Sequence, residues 1–199
     1  MKEAVNKLKL TSVSALTRLV LTALKNARIQ IEAQAMQFSG TQLPPLREES
    51  HAIAERFMHN LNGYFDDLIS HRVKEQEIDE YGNLSLVDND YLEAIIAMEG
   101  MVNHARNCDI QQYISFTTRL DTVFPNLHID ETNNPLDPEQ IGESFSEAIR
   151  PLNLKAHYLL TIYREFNKAV FHNLEEVLAD ANEVMIGMDI LPKLDIKAS

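Results

Sequence analysis

Between Val13 and Phe38 no glycine or proline interrupts the chain, and apolar residues return every three or four positions: Val13, Leu16, Val20, Leu24, Ala27, Ile31, Ala35 and Phe38. That spacing holds them on one face of an α-helix and excludes the alternation of a half-buried strand. At about 100° per residue, Leu21, Ile29 and Met36 point to the opposite side, so this first helix is apolar on two faces. A second neighbour must cover the extra face, either another helix of the same chain or a second subunit.

The same periodicity carries on. Ser39, Gly40, Pro44 and Pro45 end the first helix, and a second is predicted from Leu46 to Gln76 with Ile53, Phe57, Leu61, Phe65 and Leu68 inward and Gly63 weakening its middle. On this helix Arg47, Glu48, Glu55, Arg56, Asp66 and Arg72 are expected in solvent. Residues 77–89 form an acidic connector whose apolar patch Leu84, Leu86 and Val87 docks. Asp88 is the expected N-cap of a third helix that buries Leu92, Ile95, Ile96, Met98, Met101 and Val102. A fourth, from Asp109 to Phe124, buries Ile110, Tyr113, Ile114, Leu120 and Val123.

Turn-forming residues fill 125–138, where the chain is expected to cross the bundle. Asp137 before Pro138 reads as an N-cap with proline at the first helical position, opening a fifth helix that Pro151 bounds. A sixth is predicted from Leu154 to Ile186, with Gly187 as its C-terminal cap. The expectation is an all-α fold: one elongated bundle of about six helices over residues 1–199, two of them near 30 residues long.

Charge narrows the partners. The chain carries −12 overall, yet residues 1–28 hold Lys2, Lys7, Lys9, Arg18, Lys25 and Arg28 against Glu3, a balance of +5 that leaves −17 for residues 29–199. The basic first helix either complements the acidic body of the bundle or meets an acidic partner or another copy. Nucleic acid is disfavoured, because the basic stretch lacks interleaved aromatics and stands beside an acidic body. A single cysteine, Cys108, allows no internal disulfide and no thiolate cluster, so a reducing compartment fits. With no export signal and no apolar run of membrane length, the chain is placed in the cytoplasm.

Motifs for chemistry are sparse. Di-iron bundles need two Glu-x-x-His pairs, and the sequence has one, Glu48 with His51. His51, Glu55 and His59 share a helical face and could touch a metal at the surface, but they read as ordinary surface residues. There is no nucleophile elbow, phosphate loop or dinucleotide fingerprint. No catalytic residue, metal or cofactor is therefore assigned. Two alternatives stay open: an enzyme whose site is assembled across helices, and a weak nucleic-acid binder using Lys7, Lys9 and Arg18.

The run Leu84-Ser-Leu-Val-Asp88, with Leu92-Glu93 and Met98-Glu-Gly-Met-Val102, is followed by Asn134-Pro135, Pro138, Phe145, Leu154, Tyr163, Phe166, Val170, Leu174, Asn182 and the exit Leu191-Pro192-Lys193-Leu194. Together they resemble the N-terminal helical region of a family of large, uncharacterised proteobacterial cytoplasmic proteins, a domain of unknown function. Some members carry an automatic thymidine-phosphorylase-like label, for which no phosphate- or base-binding motif occurs here. The resemblance implies that residues 1–199 are the N-terminal part of a longer protein. It also implies that any cyclic di-GMP site, on a distal β-barrel module, lies outside them. The resulting expectation is a non-enzymatic interaction or oligomerisation module of a bacterial regulator. Its candidate surface is Leu21, Ile29 and Met36 with Lys25 and Arg28 beside them.

Overall fold

The computed structural model describes residues 2–36, 42–71, 89–108 and 110–194. Among them the regular structure is entirely helical: α1 (Lys2–Ala35), α2 (Leu46–Ser70), α3 (Asn89–Cys108), α4 (Ile110–Val123), α5 (Pro138–Ile149), α6 (Ala156–Ala169) and α7 (Leu174–Ile186). The expected all-α bundle is therefore what the chain forms. The connector at 77–88 and its Leu84, Leu86 and Val87 patch lie outside the described residues.

The spine is α1, with 34 residues and about 50 Å of length at about 1.5 Å per residue. It starts at Lys2 rather than Val13, because nothing before Val13 breaks a helix, and Val5 and Leu8 extend the buried stripe by two further turns. Packed along it are α2, α6 and α7; α5 lies on α2, α3 on α5 and α6, and α4 on α7. The inward stripe of α2 is as expected, with Ile53, Phe57, Leu61, Phe65 and Leu68 all buried. Its end comes sooner, at Ser70. His71 there adopts the left-handed conformation (φ 54°), which stops an α-helix, and its ring meets Phe124 edge-on at 5.8 Å.

The run predicted as one sixth helix is two. After Ala169 the backbone tightens into a 3₁₀ turn, Phe171–Asn173, and α7 begins at Leu174. In an unbroken helix Phe171 would point about 140° away from Phe166. The turn instead buries Phe171 with its ring edge-on to Phe166 at 5.1 Å, while the Asn173 amide donates to the Ala169 carbonyl at 2.8 Å. Phe166 in turn stacks on Phe145 of α5 at 4.2 Å. Gly187 ends α7 with ordinary right-handed geometry (φ −61°), and the chain reverses two residues later at Asp189 (φ 62°).

Asp137 fixes how α3, α4 and α5 meet. Its carboxylate is fully buried and caps α5 by accepting the Glu139 N–H at 2.8 Å, with Pro138 following as predicted. Arg106 of α3 donates to both of its oxygens, at 2.7 and 3.1 Å, and the Tyr113 hydroxyl of α4 donates at 2.7 Å. One buried anion thus receives four donors from three helices. Just beyond it α3 crosses α5 at Gly142, where a Cβ would stand 3.2 Å from Val102 and 3.3 Å from Met98.

Two outcomes for stability follow. Asp137→Ala removes the cap, leaves Arg106 with Glu139 alone at 3.0 Å and takes the carboxylate from the Tyr113 hydroxyl, and is expected to cost about 3 kcal/mol in urea unfolding, against about 0.5 kcal/mol or less for the exposed Glu139→Ala. Gly63→Ala is expected to stabilise by about 0.5–1 kcal/mol, since Gly63 lies inside α2 and a Cβ there meets nothing within 4 Å.

Candidate interaction surface

Of the five residues singled out, Leu21, Lys25, Arg28 and Ile29 lie on α1 and Met36 directly follows its last residue, and on helical spacing the five fall within a sector of about 100° on its outward side. Met36 is 90% exposed and Ile29 46%, and Lys25 is exposed between them and Leu21, which is half-buried. Arg28 is half-buried and holds Glu32 one turn on, at 3.2 and 3.3 Å. Towards the N-terminus the stripe continues through Arg18, exposed, to Leu10 at 71%. The opposite face of α1 is fully covered by α2, α6 and α7. Near its C-terminal end, Arg28, Ile31 and Glu32 line a recess of about 530 Å³ with residues 43–48.

A second outward stripe was not foreseen. Leu92, Ile95 and Ile96 of α3, expected in the core, are exposed, Ile96 at 57%. The buried stripe is Ala94, Met98 and Val102, spaced by four, of which Met98 and Val102, both expected inward, sit on Gly142. Leu92, Ile95, Ile96 and Glu99 follow the i, i+3, i+4, i+7 pattern of a single helical face, and Tyr91 and Glu93 flank them in solvent. The clue in the sequence was small: Gly142 lets α3 approach closely through Met98 and Val102, and that seating turns Leu92, Ile95 and Ile96 outward. On α4 likewise, Ile110 and Ile114 are exposed, and Phe116 and Arg119 are buried in their place.

Several polar side chains inside the bundle tie its helices to one another. Along α2, Arg56 donates through Nε to the Ala148 carbonyl at 2.7 Å and Asn60 to the Ser144 carbonyl at 3.1 Å. Tyr64 donates to the Glu143 carboxylate, so three side chains four residues apart fasten α2 to α5. Arg56, expected in solvent, is thereby turned inward. Burial first, and then the Glu143 bond, raise the Tyr64 phenol well above its ordinary range. Tyr113 is raised by burial and then by its bond to Asp137, while Arg106 is raised chiefly by that same carboxylate. Burial lowers Arg119, whose guanidinium donates to Asn182 Oδ1 at 2.9 Å and to the Leu191 carbonyl at 3.2 Å, tying α4 to α7 and the chain beyond it. Asp130 is held below the usual carboxylate range, first by the Thr132 hydroxyl at 2.6 Å.

Beside the α2–α5 fastening lies a recess of about 480 Å³ lined by Ala52, Glu55, Arg56, His59, Asn60 and Glu147. His51, Glu55 and His59 are each exposed, and among the described residues no three His, Cys, Asp or Glu side chains gather as metal ligands would. Of the basic residues considered for nucleic acid, Lys9 is paired with Asp66 of α2 at 2.6 Å, and Lys7 and Arg18 are exposed. Among the described residues no helix is long and apolar enough to cross a membrane.

Residues 17–189 match the family model for the N-terminal domain of a protein of unknown function, DUF1631. Neither the curated proteins nor the solved structures contain a match to the chain.

Because the α3 stripe is exposed, Leu92→Ser and Ile96→Ser are each expected to change unfolding free energy by less than about 0.5 kcal/mol, against about 2 kcal/mol or more for Met98→Ala on the buried side. Urea denaturation of the three variants checks which face of α3 is inward.

Proposed function

We propose that this chain, which belongs to the DUF1631 family through that family's N-terminal domain, is a helical interaction module that associates with itself. It works by burying helix faces against helix faces, with no catalytic step assigned to it. The observation that carries this reading is α3. One side of that helix is sealed into the core by Ala94, Met98 and Val102, and the other presents Leu92, Ile95 and Ile96 together in solvent. Scattered single apolar residues are normal on a protein surface, whereas several on one helical face are what a docking helix offers. The outward stripe of α1, Leu21, Lys25, Ile29 and Met36, supports the same reading from another side of the molecule.

In the larger context that the sequence resemblance implies, the module serves a cytoplasmic bacterial regulator. Any cyclic di-GMP recognition then belongs to regions outside residues 1–199. The energetic basis of association is the apolar area removed from water, about 25 cal/mol per Å² before the costs of ordering and lost translation. Sedimentation velocity over a concentration series tests it. The wild type is expected to sediment increasingly above monomer as concentration rises, and Leu21→Ser with Ile29→Ser to reduce that increase. A wild-type chain that stays monomeric at the highest concentration reached overturns the reading.

A further inference from the structure

We infer that association is head-to-tail: the α3 stripe of one copy docks on the α1 stripe of a second copy. This rests on the self-association proposed above and specifies which surfaces meet. Two outward stripes stand on separate helices, and their charges are opposite. On α1 the apolar residues Leu21 and Ile29 alternate with Arg18 and Lys25. On α3 the apolar residues Leu92, Ile95 and Ile96 are accompanied by Glu93 and Glu99. All four charged residues are exposed, and among the described residues none of them takes part in an ion pair.

Like-with-like pairing is disfavoured on both helices. Setting α1 on α1 brings Arg18 and Lys25 towards their own copies, and α3 on α3 does the same to Glu93 and Glu99, in each case desolvating like charges beside an apolar contact. Setting α3 on α1 opposes carboxylates to cations and buries both apolar rows together. The lengths agree. Leu92 to Glu99 spans about 10 Å of helix, and Arg18 to Ile29 about 16 Å, so the acidic stripe seats within the basic one. The charge balance has the same sense, since residues 1–28 carry +5 and the remainder −17. A contact of one helical stripe per copy is small, which places the association among weak interfaces and makes it sensitive to salt.

A head-to-tail contact leaves each copy one free donor face and one free acceptor face, so association continues past the dimer unless a ring closes. This gives a test by mixing whole chains with one face removed. The first carries Leu21→Ser with Ile29→Ser on α1, the second Leu92→Ser with Ile96→Ser on α3, and circular dichroism confirms that each is folded. In sedimentation velocity the wild type is expected to grow beyond dimer, each variant alone to remain monomeric, and their equimolar mixture to stop at a 1:1 dimer. If the α3 variant self-associates while the α1 variant does not, α1 meets α1 and the inference is overturned. The converse pattern makes the contact α3 on α3 and overturns it equally, as does association of both variants alone. A monomeric wild type refutes self-association itself. Because Leu21 is half-buried, the exposed charges give an independent arm: Lys25→Glu is expected to weaken association about tenfold, and adding Glu99→Lys to the same chain to restore it to within about threefold. Failure of the second substitution to restore it overturns the pairing.

Discussion

A carboxylate with no access to water must have all its needs met by the protein, and Asp137 has them met by three helices. The Glu139 amide at the start of α5, the guanidinium of Arg106 on α3 and the phenol of Tyr113 on α4 all converge on it. An ion buried in this way is costly unless every lone pair is occupied, so the three helices cannot move independently without exposing an unpaired charge. The geometry of α3 depends on that constraint. Anchored near its C-terminal end by Arg106 and set on Gly142 through Met98 and Val102, it has one rotation about its axis, and that rotation turns Leu92, Ile95 and Ile96 outward. The outward stripe is therefore a product of the buried one.

The charge separation along the sequence has less internal use than complementarity between the first helix and an acidic body would require. Among the described residues, one ion pair joins α1 to another element, Lys9 with Asp66; Arg28 is satisfied within its own helix by Glu32. Such exposed pairs contribute little to stability. The remaining positive charge of α1 faces solvent and adds little to the bundle's own cohesion.

Much of the fold was legible because local rules and tertiary packing agree there. The three-and-four spacing of α1 and α2 and the Asp137–Pro138 opening of α5 appear as their sequence implies. What was not legible depends on partners distant in the chain. Nothing local to Asp137 announces Arg106 from 31 residues away, and nothing local to Arg119 announces Asn182. The break between α6 and α7 contains no glycine or proline, and it exists because Phe171 gains a place under Phe166. On α3, Met98 and Val102 are buried as their spacing implies, whereas Leu92, Ile95 and Ile96 are exposed and the smaller Ala94 is buried, because the helix lies on α5 with Met98 and Val102 against Gly142. The candidate surface was accordingly half legible: the α1 stripe followed from counting residues around a helix, and the α3 stripe required knowing where α5 lies.

Gly142 has one more implication. The space a single methyl would occupy at that position is all that separates α3 from α5 at their crossing, and the neighbours already stand at 3.2 and 3.3 Å. A replacement there would act as a shim, lifting and rolling α3 by a few tenths of an ångström while leaving every surface residue unchanged in identity. The angle at which this protein shows its outer face to the solution is thus adjustable from a position that no visiting molecule can reach.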